Sequence, residues 1–201
     1  MSDTWTIAQA AVIIDKPPEF LKKAVEHAPI KPGKTTLGGK QVYAFAMRDL
    51  VFYCALDDLR AGLTAVKQGE LLQALMAMPV RSEIGTVEVG QLRYDFGPFV
   101  RVVERNIEAV RKSHELIDRS GDEPVIKGTD VAAYRIAALC KGMRVDEIIR
   151  DYPGLSEAEV AAAKAFAASH PKPGRPYPTV TAKGALRTAR ADASDFLPKR
   201  R

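Results

Sequence analysis

The chain has 201 residues, of which 46% are hydrophobic and 27% are charged, with a net charge of +5 at pH 7. This composition indicates one or two small globular, soluble domains, and no apolar run approaches the roughly 20 residues that would span a bilayer. The first residues lack the charged region and apolar core of a signal peptide, so a cytoplasmic protein without membrane contact is expected.

The basic charge is concentrated at the C-terminal end. Residues 171–201 contain eight Lys or Arg and two Asp, a net charge of +6, which leaves −1 for the first 170 residues. A nearly neutral body with a basic appendage indicates an acidic partner, either a nucleic acid or an acidic protein surface.

The N-terminal region predicts a helix, a tight turn and a second helix. The first helix is expected from about Trp5 to Ile14, with Thr4 as its N-cap. Asp15 would cap the second helix, which is expected over residues 18–28. A third, longer helical stretch is expected from Arg48 to about Met78, with a break near one of its glycines.

The segment 31–40 is rich in lysine and glycine, and an alternating apolar pattern follows up to Phe45. This pattern predicts a two-stranded wing whose lysines reach towards DNA phosphates. Together with the outer face of the second helix, the wing supplies the candidate DNA-binding residues. They are Lys16, Lys22, Lys23, His27, Lys31, Lys34, Thr35 and Lys40.

These N-terminal segments resemble the DNA-binding domain of MerR-type regulators. The matching segments are 5–11, 18–28, 43–45, 48–50 and 58–63. The second helix is less basic than is usual in that family, so phosphate contacts are better supported than base-specific readout. The resemblance implies a winged helix-turn-helix domain over residues 1–80 that binds double-stranded operator DNA.

The segment 81–120 predicts short strands followed by a linker or dimerisation helix. Alternation changes phase at Gly90, which indicates a bulge or a turn. A helix is expected from Gly97 to about Arg119, and its apolar positions follow a and d spacing. They are Val100, Val103, Ile107, Val110, His114 and Ile117. This seam fits packing within one domain and, equally, a homodimer helix like that of MerR-type proteins.

Residues 121–170 predict a small domain of three helices. Thr129 would cap the first, the second would run from Val145 to Tyr152, and Ser156 with Glu159 forms a capping box for the third. The outer face of the third helix is acidic and alanine-rich, and it would repel phosphates. A protein–protein or dimerisation role is therefore favoured over DNA contact.

Four segments of this region, 124–130, 137–142, 146–153 and 155–160, resemble a widespread bacterial domain of unknown function. Members of that family are often encoded as antitoxins beside PIN-domain toxins, in VapBC-like pairs. The resemblance implies that the chain is a VapB-type antitoxin whose partner is a PIN-domain toxin.

The tail, 171–201, is proline-punctuated and basic, and alone it cannot bury enough surface to fold. It is either a solvated end or an arm that becomes ordered on the toxin. PIN-type nucleases hold Mg²⁺ with clustered carboxylates, which an inserted Arg187 or Arg190 could neutralise. The candidate toxin-binding residues are Arg175, Tyr177, Lys183, Leu186, Arg187, Arg190 and Phe196.

The three histidines are scattered singly along the chain. His170 is expected at a helix C-terminus, where an imidazolium would interact favourably with the helix dipole. Because no His, Cys, Asp or Glu cluster has metal-ligand spacing and no nucleophile motif occurs, no metal, cofactor or catalysis is expected.

The expected fold is mainly α with a small β component: a winged helix-turn-helix, a trihelical domain and a C-terminal arm. The expected function is that of an antitoxin that inhibits a cognate PIN-domain ribonuclease and represses its own operon. One alternative is a ligand-responsive MerR-like regulator without a toxin, with its ligand held beside residues 87–96 and the following helix. Another is an architectural nucleic-acid-binding protein that uses its basic tail.

Overall fold

The computed structural model describes residues 4–28, 30–79, 83–172 and 174–186. The chain divides into two compact units, Met1–Val110 and Arg111–Arg201, and each unit has its own cluster of buried hydrophobic residues. The described residues are mainly helical, with antiparallel sheets of two strands. The predicted fold class, mainly α with a small β component, is confirmed.

The first unit consists of a helix pair, a hairpin, three helices, a second hairpin and a long helix. Its helices are α1 (Ile7–Ile13), α2 (Pro18–His27), α3 (Met47–Cys54), α4 (Leu56–Gly62), α5 (Ala65–Ala77) and α6 (Gly97–Glu115), whose last residues belong to the second unit. Its strands are β1 (Gly33–Leu37), β2 (Lys40–Ala44), β3 (Thr86–Val89) and β4 (Leu92–Asp95). The order helix, turn, helix and wing is the predicted one.

Helix α1 begins later than predicted. The Thr6 side chain accepts a hydrogen bond from the Gln9 amide, and Gln9 Oε1 accepts one from the Thr6 amide at 2.9 Å, which forms a capping box. Trp5 lies outside the helix because its backbone pairs with that of Phe45, with N–H···O distances of 2.9 and 2.8 Å. The predicted N-cap Thr4 is therefore wrong.

Helix α2 starts at Pro18, the second residue of a proline pair. Pro17 occupies the N-cap position and makes no side-chain capping bond. Asp15, the predicted N-cap, instead lies in the turn between α1 and α2 with a φ of 53°, so that prediction is wrong. The buried face of α2 consists of Leu21, Ala24 and Val25, and the charged residues of this helix face solvent.

The predicted long helix after the wing is three helices. The chain breaks at Ala55, between α3 and α4, and again after Gly62, where Thr64 accepts a hydrogen bond from the Lys67 amide and caps α5. The break near Gly62 is the predicted one. The break at Ala55 is not predicted, because alanine is the residue that most favours a continuous helix.

Strands β3 and β4 form a hairpin that turns at Gly90, whose φ is 61°. This settles the choice between a bulge and a turn. Helix α6 then packs Val103, Ile107 and Val110 into the core of the first unit, and the Asn106 side chain donates a 2.7 Å hydrogen bond to the carbonyl of Ile13 in α1. These three seam residues thus pack within their own unit, and the homodimer stays a prediction.

The second unit contains α7 (Ala133–Leu139), α8 (Val145–Asp151), α9 (Glu157–Ser169), β5 (Ile117–Asp118) and β6 (Val125–Ile126). Residues 182–186 are also helical. Helix α6 ends before the predicted Arg119 because Ile117 and Asp118 pair with β6. Fully buried Ile126, Ile136, Ile148 and Phe166 form the centre of this unit's core.

Two capping predictions in this unit have opposite outcomes. The Ser156–Glu159 box is present: the Ser156 amide donates to Glu159 Oε2 at 2.7 Å, and the Glu159 amide donates to Ser156 Oγ at 3.3 Å. Thr129 does not cap α7, whose N-cap is Ala132. The Thr129 hydroxyl instead closes the turn after β6, since it donates to the carbonyl of Ile126 at 2.8 Å.

Candidate nucleic-acid interface and C-terminal segment

The outer face of α2 carries Lys22, Lys23 and His27, all exposed. Lys22 lies 3.6 Å from Glu19 on the same helix. With Glu26 also exposed, the two lysines are matched by two carboxylates. The α2 face is therefore nearly neutral when His27 is uncharged, and it offers little net attraction to phosphate.

The wing carries more net positive charge than α2. Gly38 and Gly39 have φ values of 56° and 76°, as a two-residue type I′ turn requires. This turn pairs Leu37 with Lys40 at the wing tip, where Leu37 is 60% exposed. On β1, Lys34 and Thr35 are exposed, and the Lys34 ammonium lies 5.8 Å from the ring centroid of Tyr43, its register partner on β2.

Two of the predicted DNA-binding lysines have structural partners. Lys31 Nζ donates to the carbonyls of Val25 and Glu26 at 3.1 and 3.2 Å, where it satisfies the end of α2. Lys16 Nζ lies 2.7 Å from Asp57 Oδ2, and this hydrogen bond raises the pKa of Lys16. Both ammonium groups thus stabilise the unit, whereas Lys23, Lys34 and Lys40 form no ion pair with any described carboxylate.

One exposed cation near α2 escaped the sequence analysis. The guanidinium carbon of Arg60 lies 5.7 Å from the ring centroid of Phe20 on α2, and Lys16 Nζ lies at the same distance from that ring. Arg60 therefore adds positive charge beside the start of α2. Forty positions separate Arg60 from Phe20, and no local sequence pattern links the two.

The C-terminal segment, defined here as the described residues between 171 and 186, lies against the second unit. The Tyr177 hydroxyl donates a 2.7 Å hydrogen bond to Glu123 Oε2. Lys172 Nζ lies 3.8 Å from Glu123 Oε1 and 5.4 Å from the Tyr177 ring centroid. One carboxylate thus holds two residues of the segment, an arrangement that the sequence analysis did not predict.

Farther along, the C-terminal segment approaches a glycine. A Cβ atom on Gly142 would lie 2.7 Å from the carbonyl oxygen of Thr179, so this contact requires glycine. The Thr181 hydroxyl donates to the Asp151 carboxylate, and it accepts a 2.9 Å hydrogen bond from the Gly184 amide. Thr181 thereby caps the helical turn at 182–186.

Only some of the predicted toxin-binding residues lie against the second unit. Tyr177 is half-buried against the second unit, whereas Arg175, Lys183 and Leu186 are exposed, Leu186 by 62%. Arg187, Arg190 and Phe196 lie outside the described residues.

Two histidines meet beside α9. The ring centroids of His114 and His170 are 4.8 Å apart, and His170 stacks on Phe166 at 4.7 Å. Burial, together with the nearby His114 and Arg119, lowers the pKa of His170 to about 4. His170 is therefore neutral near pH 7, and the predicted imidazolium at the end of α9 is wrong.

Residues 118–167 match a protein family described as a protein of unknown function (DUF433). The match covers α7, α8 and most of α9, so the predicted likeness to a family of unknown function is confirmed. No curated protein and no solved structure is similar enough to the chain to count as a match. Across the described residues, every helix is too short or too polar to cross a membrane.

Proposed function

We propose that this chain is a cytoplasmic antitoxin that inhibits a PIN-domain ribonuclease and represses its own operon by binding DNA. The observation that carries the proposal is the helix–turn–helix and wing of the first unit, joined in one chain to a unit that matches DUF433. The first supplies a means of binding DNA. The second resembles a family whose members are often encoded beside toxins.

The DNA-binding half rests on the distribution of charge over α2 and the wing. Lys34 and Lys40 on the wing, with Lys23 on α2, are exposed and form no ion pair with a described carboxylate. Phosphate contacts of this kind position a protein on a duplex without reading its sequence. As a homodimer, the protein would place two copies of α2 on a palindromic operator.

The toxin-binding half rests on the C-terminal segment. Tyr177 and Lys172 hold the start of the segment on Glu123, while the exposed Arg175, Lys183 and Leu186 face solvent. Residues 187–201 add five further Lys or Arg. An Arg of this region, Arg187 or Arg190, would neutralise the carboxylates that hold Mg²⁺ in a PIN-type nuclease.

The test is co-expression with the open reading frame adjacent to this gene, followed by pull-down and an RNase assay. A chain ending at Leu186 removes Arg187, Arg190 and Phe196 but keeps the contacts of Lys172 and Tyr177 with Glu123. We expect the full chain to capture and inhibit the nuclease, and the shortened chain to lose both properties.

Charge-reversed double variants of the full-length chain provide the same test. Arg187→Glu with Arg190→Glu should restore nuclease activity, whereas Lys127→Glu with Arg150→Glu, which changes the charge equally at exposed positions of the second unit, should not. The antitoxin proposal fails if the full chain captures no nuclease, or if both pairs behave alike.

A cavity in the first unit favours a second candidate, the ligand-responsive regulator. It measures about 450 Å³ and lies beside α6, with Ile84, Val100, Arg101 and Glu104 among its lining residues. It adjoins the helix beside which the alternative expects a ligand, although none of residues 87–96 lines it. Arg48 also lines it, but its guanidinium donates to the carbonyls of Met76 and Pro79, so Arg101 is the available cation. If the pull-down captures no nuclease, this candidate takes precedence.

A further inference from the structure

Two helices of the second unit border a cavity of about 460 Å³ with small side chains. The lining residues of α7 and of the turn after it include four at i, i+3, i+4, i+7 spacing: Tyr134, Ala137, Ala138 and Lys141. Those of α9 and its end follow the same spacing: Lys164, Ala167, Ala168 and Pro171. One face of each helix therefore points at the cavity, and the alanines leave it unfilled.

The C-terminal segment closes one side of this cavity. Lys172, Pro176 and Tyr177 line it, and the hydrogen bond from Tyr177 to Glu123 holds that wall in place. The volume lies within the range of roughly 300–1,000 Å³ that is common for small-molecule sites. The cavity is therefore a site with a defined wall, formed partly by residues beyond those that match DUF433.

The charge of the lining has one sign. Lys141, Lys164 and Lys172 line the cavity, and no described Asp or Glu does so. Lys172 is paired with Glu123 at 3.8 Å. Lys141 and Lys164 have no ion pair with any described carboxylate. Two ammonium groups beside an apolar, partly enclosed space attract an anion more strongly than they would in open solvent.

We propose that this cavity binds a small organic anion. The apolar body of the ligand would lie against the alanines and the rings of Tyr134 and Tyr177, and its carboxylate, sulfonate or phosphate would pair with Lys141 and Lys164. The inference is independent of the antitoxin proposal, because it uses neither DNA nor a toxin.

The experiment uses the full chain with Cys54→Ser, which leaves Cys140 as the only thiol. Cys140 lines the cavity, so an occupant should shield it. The probe is 1-anilinonaphthalene-8-sulfonate, an aromatic anion whose fluorescence rises on binding. We expect saturable binding and slower alkylation of Cys140 by iodoacetamide at about pH 9, where a thiol with a pKa raised by burial still reacts.

Charge is tested on the ligand and on the protein. 1-Naphthoate should displace the probe about tenfold better than 1-naphthalenemethanol, which has the same ring and no charge. Lys141→Glu and Lys164→Glu should each weaken probe binding by roughly threefold to tenfold. Arg150→Glu, an equal change at an exposed position of α8 outside the cavity lining, should leave it unchanged.

If circular dichroism shows that Lys164→Glu disturbs folding, Lys164→Gln replaces it as the test of charge. Ala138→Leu fills the cavity without changing charge and should also abolish protection of Cys140. Equal binding by the Lys164 and Arg150 variants would overturn the proposal. So would alkylation of Cys140 that saturating probe does not slow, or displacement by the neutral alcohol as effective as that by naphthoate.

Discussion

Tyr177 and Glu123 are 54 positions apart in the chain, and the hydroxyl of the first donates a 2.7 Å hydrogen bond to a carboxylate oxygen of the second. This bond raises the pKa of Tyr177. The other oxygen of Glu123 faces Lys172 at 3.8 Å. Glu123 is therefore the residue through which the start of the C-terminal segment is fixed to the second unit.

Replacement of Tyr177 by Phe should loosen this attachment. The change removes one hydrogen bond to a carboxylate and little else, so we expect a loss of about 1 kcal/mol in the free energy of unfolding of the second unit. Trypsin should also cleave faster after Lys183, which is exposed and is followed by Gly184. Tyr152→Phe is the control, because the Tyr152 hydroxyl has no hydrogen-bond partner among the described residues. Equal losses in the two variants would show that the Glu123 bond does not stabilise the segment.

Gly142→Ala should separate the C-terminal segment from the loop after α7. The added Cβ would lie 2.7 Å from the carbonyl oxygen of Thr179, which is a backbone atom. Because a backbone atom cannot move aside without distorting the chain, we expect the free energy of unfolding to fall by about 1–3 kcal/mol. Amide exchange at residues 179–184 should become faster. Gly154→Ala meets no heavy atom within 4 Å and should be nearly neutral. If both variants keep wild-type exchange, the segment does not depend on this close approach.

Acid should destabilise the second unit through its histidines. The pKa of His170 is about 4 and that of His114 is also lowered, both mainly by burial, from an ordinary value of 6.5. Between these values the unfolded chain binds more protons than the folded chain. The stability that the neutral rings contribute is therefore complete above pH 6.5 and is lost as the pH falls through about 4.

The free energy of unfolding is expected to fall by on the order of 1–2 kcal/mol over this range. Partial exposure of the histidines makes this smaller than the full effect of their lowered pKa values. Urea denaturation, read from amide signals of α7 and α9, measures it between about pH 7 and pH 4.5. The carboxylates of Asp118 and Glu159, whose pKa values are lowered from 3.8 and 4.5, contribute mainly below this window. His170→Gln should flatten the dependence, and an unchanged slope would exclude His170 as its source.

The wing lysines should determine the salt dependence of DNA binding. Lys34→Ala and Lys40→Ala should each weaken binding to duplex DNA and reduce the slope of log K against log salt by about 1, as expected for the loss of one phosphate contact. Fluorescence anisotropy over a salt titration measures both quantities. Lys67→Ala is the control, because Lys67 pairs with Glu70 at 2.6 Å on α5. A slope unaffected by the wing variants would place the DNA elsewhere.

Local signals account for most of what the sequence predicts correctly. The two-stranded wing around Gly38 and Gly39, the Ser156–Glu159 capping box and the interrupted alternation at Gly90 each depend on a few neighbouring residues. The exposure of Lys22 and Lys23 likewise follows from helical spacing alone. Such features are visible without knowledge of the rest of the fold.

Some errors arise where a distant residue competes for a local group. Thr4 is not a cap because the backbone of Trp5 pairs with Phe45. The engagement of Lys16 by Asp57 has the same origin. Short-range patterns carry no information on such partners, so the candidate site was predicted as a set of positions and not as a set of available charges.

The second unit is longer than the stretch that matches DUF433. Residues 118–167 match DUF433, yet Phe166 packs against His114 and His170, and Glu123 pairs with Lys172 and Tyr177. A fragment cut at the limits of the match would therefore lose aromatic neighbours from its core and leave the Glu123 carboxylate without its hydrogen-bond donor Tyr177 and its ion-pair partner Lys172. A piece with residues 111–186 keeps all these contacts, and this is the piece to excise for crystallisation or NMR.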